Sequence, residues 1–166
     1  LKSFKAPISV CDLGCGDFNI GKQLIKFTKE YTGLDIVTDL IAYNKKQFKE
    51  EKVSFLCKDL ATDTLPKADC ALIRQVLQHL SNKEIQSIVT KLYQYKYVIL
   101  TEHIPDGNFK PNLDIISGQG IRLKKQSGVN LLLPPFNFKV KEAKQLSVVS
   151  SKKHKGIIIT YLYKVF

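Results

Sequence analysis

Five short, largely apolar runs alternate along the chain with stretches whose apolar positions recur every three or four residues. The runs are Ile8–Leu13, Tyr31–Ile36, Val53–Cys57, Cys70–Ile73 and Tyr97–Thr101, and their length and content predict strands. Strands this apolar are expected to be buried on both faces, as in a parallel sheet. Between them, Ile20, Leu24, Ile25 and Phe27 make one helical face, and Leu40, Ile41, Tyr43 and Phe48 another. Ser81-Asn82-Lys83-Glu84 is a capping box, opening a helix that turns Ile85, Ile88, Val89 and Leu92 inward. Strand alternating with helix predicts an α/β fold, with parallel pairing, right-handed crossovers and helices on both faces.

After Glu102 the pattern changes. Residues Ile104 to Phe138 are rich in Gly, Pro and Asn with few periodic signals, and a connection that long usually carries function. Two further strand-like runs follow, Ala143–Ser150 and Gly156–Val165, joined by Ser151-Lys152-Lys153-His154-Lys155. They predict a hairpin, so the sheet should end with an antiparallel strand.

The 166 residues fit a single domain, 1–166. The chain opens at Leu1 and holds no Met, so an N-terminal segment is expected to be missing. No apolar run reaches the ~18 residues of a membrane span, and no secretory leader precedes the first strand. Cys11, Cys57 and Cys70 fall in predicted buried strands and Cys15 in the first turn, with no C-x-x-C pair. That argues against zinc or a disulfide framework and fits a reducing, cytoplasmic compartment. A net charge of +11 invites a nucleic-acid reading. The lysines are spread along the whole chain, however, so a solvated surface is the favoured reading of the charge, with a mild preference for anionic substrates next.

The chemistry concentrates where the first strands end. Asp12-Leu13-Gly14-Cys15-Gly16 follows a buried strand and precedes a helix, and its glycines let the backbone turn tightly against a ligand. Asp35 ends the second strand about twenty positions on, where nucleotide-binding α/β folds place an acid for ribose hydroxyls. Asp59 follows the third strand, well placed for an amino group on an adenine ring.

These residues, together with "ADCALIRQVLQHL", resemble a class I S-adenosylmethionine-dependent methyltransferase from about Ile8 to Glu102. The resemblance implies a Rossmann-like three-layer sandwich, whose seven-stranded, mainly parallel sheet takes its last strand antiparallel. It also implies S-adenosyl-L-methionine as cofactor. Asp12, Gly14, Cys15 and Gly16 would cradle the methionine part and Asp35 the ribose. Ile36 would lie against the adenine, flanked by Asp59 and Leu60. Phe18 stands where the family often has a further glycine, so its ring must turn away or form a wall. Asp17 either faces the cofactor's ammonium or helps cap the following helix. Its charge suits a cationic sulfonium and would repel a dinucleotide's pyrophosphate.

Transfer to an alcohol requires a base, and the candidates are His79 after strand four with Glu102 and His103 at the end of strand five. His79 also suits a structural role. Arg74 and Arg122 are the only arginines among 26 basic residues, and a guanidinium fork suits a phosphate or carboxylate. Both are candidates for substrate, Arg74 for cofactor too, and an ion pair with a neighbouring acid is the alternative for each. His103 is a further substrate candidate. The acids after strand five show no metal triad. Pro134-Pro135-Phe136 superficially resembles the Asn-Pro-Pro-aromatic signature of DNA amino-methyltransferases but lies after the wrong strand and lacks the Asn. It predicts a turn, with Phe136 and Phe138 as candidates for an acceptor pocket. The favoured reaction is O-methylation of a small anionic acceptor. "CDLGCGDFN" and "IRQVLQHLSN" resemble small bacterial enzymes that modify surface glycans, capsule components or their nucleotide-linked precursors. An RNA or protein methyltransferase, and a non-catalytic cofactor-binding subunit, are the alternatives.

Overall fold

A computed structural model describes residues 1–150 and 155–166. Its seven strands are β1 (Ile8–Leu13), β2 (Thr28–Asp35), β3 (Val53–Cys57), β4 (Cys70–Arg74), β5 (Tyr97–Ile104), β6 (Glu142–Ser150) and β7 (Ile157–Lys164). They form one sheet in the order β3-β2-β1-β4-β5-β7-β6. Pairing is parallel from β3 to β5, and β7 runs antiparallel to both β5 and β6. The expected mainly parallel α/β sheet with an antiparallel end is therefore present. Of the expected joining segment, residues 151–154 lie outside the described residues.

Strand alternation sends successive side chains to opposite faces. On one face Val10, Tyr31, Phe55 and Leu72 pack with Ile25 and Ile41 beneath the short helix α1 (Gly21–Leu24) and helix α2 (Thr38–Gln47). On the other, Leu13, Ile73 and Leu100 meet Ile85, Ile88 and Leu92 of helix α3 (Asn82–Leu92). The predicted capping box opens α3, with Ser81 and Glu84 bonding reciprocally.

Three expectations about the elements require correction. Burial on both faces fails at β3, which is an edge strand with Ser54, Leu56 and Cys57 facing outward. The residues between β3 and β4 form turns without a helix that would cover it. The first helix is only one turn before it tightens to a 3₁₀ turn, Ile25–Phe27, where β2 already begins. Most consequentially, β5 runs on to Ile104, because β7 keeps its ladder paired as far as Ile104 opposite Ile157. Glu102 and His103 are thus inside a strand on opposite faces, not together beyond its end.

The long connection from Pro105 to Lys141 holds one 3₁₀ turn, Arg122–Lys125, and no α-helix. Buried polar side chains organise it. Asn112 donates to the carbonyls of Asn130 (2.9 Å) and Pro134 (2.8 Å) and accepts from Asn130 N (2.8 Å). Ser127 joins Lys110 O to Leu113 N. Val129, Leu131, Phe136 and Phe138 then fill the core beside α3.

Candidate active site

The carboxyl ends of β1, β2 and β4 open into a cavity of about 400 Å³. Its floor is the first turn. Gly14 has φ +89°, a conformation that favours glycine, and a Cβ there would run into Val76 Cγ2. Gly16 has φ +55° and open space where its Cβ would stand, so only backbone fronts the cavity at that point. The turn is held from three sides. Gly14 N and Cys15 N donate to Leu34 O at 2.9 and 2.8 Å. Gly16 N donates to Asp35 Oδ2 at 3.0 Å, and Asn44 of α2 donates to Gly16 O at 2.7 Å. The N–H groups of Gly14, Cys15 and Gly16 are thus already bonded within the protein, and the acid Asp17 that follows them would repel a pyrophosphate.

Gly14, Cys15, Gly16, Asp17, Asp35, Ile36, Asp59, Leu60, Arg74 and His79 all line this cavity. Asp35 accepts from Val37 N (3.0 Å) as well as from Gly16, and its carboxylate keeps lone pairs toward the opening. Asp59 sits in a tight turn, its Oδ1 accepting from Ala61 N (2.8 Å). Lys91 of α3 steadies that turn, its ammonium donating at 2.8 Å to the carbonyls of Leu60, Ala61 and Asp63. Asp17 accepts from Asn19 N and caps no helix, because Ile20 is the N-cap of α1 and makes no side-chain bond. Phe18 turns away, buried edge-on against Tyr31, Phe48 and Phe55.

Four carboxylates, Asp17, Asp35, Asp59 and Glu84, face one guanidinium, Arg74, among the described lining residues. A bare backbone floor under an acidic wall fits a cation that carries hydroxyls and an amine. S-Adenosylmethionine is such a molecule, and a dinucleotide is not.

The structure does not bring every sequence candidate to this cavity. Asp12 is buried beneath it, accepting from Tyr31 Oη at 2.7 Å, and burial raises its carboxyl to about 6. Arg122 is fully buried, and its two terminal nitrogens donate to Leu113 O and Leu80 O. Its fork holds backbone and is not offered to an anion. Phe136 and Phe138 are core residues, with Phe138 edge-on to Tyr93 and Tyr163. His103 lies on the opposite face of β5 from Glu102, its Nε2 2.9 Å from Lys155 O. Of the three candidate bases only His79 lines the cavity among the described residues.

Glu102 is 2% exposed, with Oε1 accepting from Leu77 N at 3.2 Å and Oε2 without a partner. Burial raises its carboxyl to about 8. A raised carboxyl means the native state binds the proton more tightly than the unfolded chain, so stability falls as pH climbs through the window. Between about pH 4, where the unfolded carboxyl titrates, and pH 8, Glu102 should progressively destabilise the fold. Glu102→Gln should flatten that decline in denaturant melts taken across the range. Equal slopes for both proteins would refute the assignment.

Several lining residues carry no sequence signal. Gln75, in a left-handed conformation at φ +56°, and Val76 are brought there by the sharp exit from β4. Glu84 is legible only as half of a capping box, yet it also reaches the wall and takes Ser117 Oγ from the long connection.

A family profile described as a methyltransferase domain matches residues 10–95, more than half of the chain. Among solved structures, the N-methyltransferase NodS of Bradyrhizobium japonicum WM9 in complex with S-adenosyl-L-homocysteine superposes with a TM-score of 0.69. The identity is 11%, over 96% of this chain and 79% of that one. A S-adenosylmethionine-dependent methyltransferase of Methanosarcina mazei gives 0.66 at 14% identity, over 98% and 94% of the two chains. The magnesium protoporphyrin IX methyltransferase of Synechocystis PCC 6803, with bound S-adenosylmethionine, gives 0.60 at 18%, over 95% and 70%. A sequence comparison with curated proteins matched nothing. No helix among the described residues is long and apolar enough to cross a membrane. Sheet order, acidic strand ends, glycine turn and family profile agree: the chain belongs to the methyltransferase-domain family, and its fold is that of solved S-adenosylmethionine-dependent methyltransferases.

Proposed function

We propose that the chain methylates oxygen on a small anionic acceptor that enters beside Arg74, a phosphorylated or nucleotide-linked sugar of the capsule-precursor kind. One observation carries this reading. Arg74 lines the cavity at the end of β4, the one guanidinium among its described lining residues, with its charge also acting on buried Asp12. A guanidinium at the mouth of an otherwise acidic cavity suits a phosphate or carboxylate, which its fork can grip through two bonds.

When bound, S-adenosylmethionine supplies an electrophilic methyl group on a sulfonium. The chain's own residues then have three tasks. Asp35 holds the ribose hydroxyls, with Asp59 and Leu60 beside the adenine and Ile36 against it. Asp17 and the carbonyl-rich turn face the ammonium. His79 removes the acceptor's proton: its Nδ1 is 3.1 Å from Gly120 O, a group that only accepts, so Nδ1 carries the hydrogen. Nε2 then holds the lone pair and accepts from Gln78 Nε2 at 3.3 Å, a contact the acceptor's hydroxyl would replace, and a base acting there contributes roughly 10²–10⁴-fold. Alignment of nucleophile and methyl supplies the larger share.

Arg74→Lys tests the reading. Losing a two-pronged, charge-assisted grip should raise the acceptor KM by about 10- to 100-fold, while S-adenosylhomocysteine binding changes less than about threefold. The methyl label should appear on a sugar phosphate or nucleotide sugar. If the variant loses S-adenosylhomocysteine instead, Arg74 serves the cofactor's carboxylate and the anionic acceptor is wrong. Label on RNA would also overturn the proposal.

A further inference from the structure

Glu84 does more than cap α3. Its Oε2 takes the reciprocal bond of the capping box from Ser81 N at 3.0 Å, and it also accepts from the hydroxyls of Ser81 and Ser117. A cap needs only the first of these. The Ser117 hydroxyl, and after it that of Ser81, holds the Glu84 carboxyl below the usual carboxylate range, so the group is ionised near neutral pH. All three bonds fall on Oε2, and Oε1 accepts from none of the described residues. Yet Glu84 lines the cofactor cavity.

The packing of α3 fixes which end of that cavity Glu84 meets. Ser87, one turn further along, donates to Ala61 O, and Lys91 donates to the carbonyls of Leu60, Ala61 and Asp63. The helix therefore lies along the turn after β3 that carries Asp59, and Glu84 joins Asp59, Leu60 and Ala61 in the lining. This is the end assigned above to the adenine. Asp59 Oδ1 accepts from Ala61 N, which leaves Oδ2. The charge of Lys91 acts on Asp59, but its three hydrogens are matched by three carbonyls. Two carboxylates at one end repel each other unless a donor stands between them. The amine of adenine carries two hydrogens on one nitrogen, and it can give one to each.

We propose that Glu84 Oε1 and Asp59 Oδ2 each accept one hydrogen of the adenine amine, so that Glu84 helps select adenine over its oxo analogue, hypoxanthine. The inference rests on the cofactor and not on the acceptor proposed above. Hypoxanthine has a carbonyl oxygen in place of the amine, and two carboxylates would face it with no hydrogen between them.

Calorimetric titration with S-adenosylhomocysteine and S-inosylhomocysteine tests the proposal. The native chain should prefer the adenosine compound by at least about 100-fold. Glu84→Gln keeps the cap, since Gln also serves at that position of a capping box, and its amide can donate to a carbonyl oxygen. That variant should lose about three- to tenfold in S-adenosylhomocysteine affinity and gain affinity for S-inosylhomocysteine. Asp59→Ala leaves Glu84 as the remaining reader and should keep a preference of about tenfold; it decides the matter if Glu84→Gln does not fold. An unchanged preference in a folded Glu84→Gln protein, with both compounds weakened alike or not at all, is the mark of a purely structural cap and would overturn the proposal. Equal binding of the two compounds by Asp59→Ala would overturn it too. A native chain that binds no S-adenosylhomocysteine would overturn the cofactor assignment, and the proposal with it.

Discussion

Asp35→Ala should weaken S-adenosylhomocysteine binding by about 100- to 1,000-fold. The carboxylate sits at the mouth of the cavity at the last position of β2, with each oxygen already oriented by a backbone N–H, Gly16 on one side and Val37 on the other. A charge-assisted hydrogen bond contributes roughly 1.5–3 kcal/mol, and two ribose hydroxyls therefore account for about 3–4 kcal/mol at the lower end. Each 1.4 kcal/mol is about tenfold in affinity. Removal also frees Gly16 N, so the turn loses one of its anchors, and the upper part of the range reflects that. Asp35→Asn keeps an acceptor oxygen but not the charge, and should lie between the two, near tenfold. Calorimetry on the purified variants measures both. A loss below about threefold for Asp35→Ala would mean that this carboxylate does not hold the ribose.

Arg122→Met should lower unfolding stability by about 3–5 kcal/mol, two charge-assisted hydrogen bonds at ~1.5–3 kcal/mol each. The guanidinium is fully buried and joins the carbonyl of Leu113 in the long connection to that of Leu80, just before the cap of α3. Met fills much of the volume but leaves both carbonyls without a partner. For a chain of this size the melting temperature should fall by about 10 °C. The loss should also be local: segment 105–141, with no helix of its own, should become the first site of protease cleavage. Arg122→Lys should recover only part of the stability, since one ammonium cannot span both carbonyls with the geometry of a planar fork. Unchanged melting of Arg122→Met would show that the two hydrogen bonds are not what fixes the connection.

These two residues mark where the sequence was legible and where it was not. Asp35 was legible because its place depends only on local order: a strand, a turn, and a second parallel strand returning beside the first. The same holds for Gly14, Gly16, Asp59 and the Ser81–Glu84 capping box, all set by short-range geometry. Arg122 was not legible. A scarce arginine in a lysine-rich chain signals a demand for a fork, but the sequence does not say whether an anion or two carbonyls supply the other side. Burial decides that, and burial of residue 122 depends on how an irregular connection folds over α3. Glu102 and His103 were misplaced for a related reason. The end of β5 is set by its antiparallel partner some fifty residues later, so no local signal reveals that the strand continues past Thr101. Phe136 and Phe138 were drawn toward the acceptor by their company of prolines, whereas their size is used to fill core that a regular helix would otherwise have filled. Lys91 and Asn44 give no sequence signal, because a helical lysine and a helical asparagine are ordinarily solvent-facing, and only the tertiary fold brings them to the turns they support.

The acidic strand ends and the glycine turn form a site for a positively charged adenosine derivative and disfavour a pyrophosphate. Titrating the native chain with S-adenosylmethionine and, separately, with NAD tests it most directly. Saturable one-to-one heat from S-adenosylmethionine with none from NAD is the predicted result. Binding of NAD with no response to S-adenosylmethionine would contradict it.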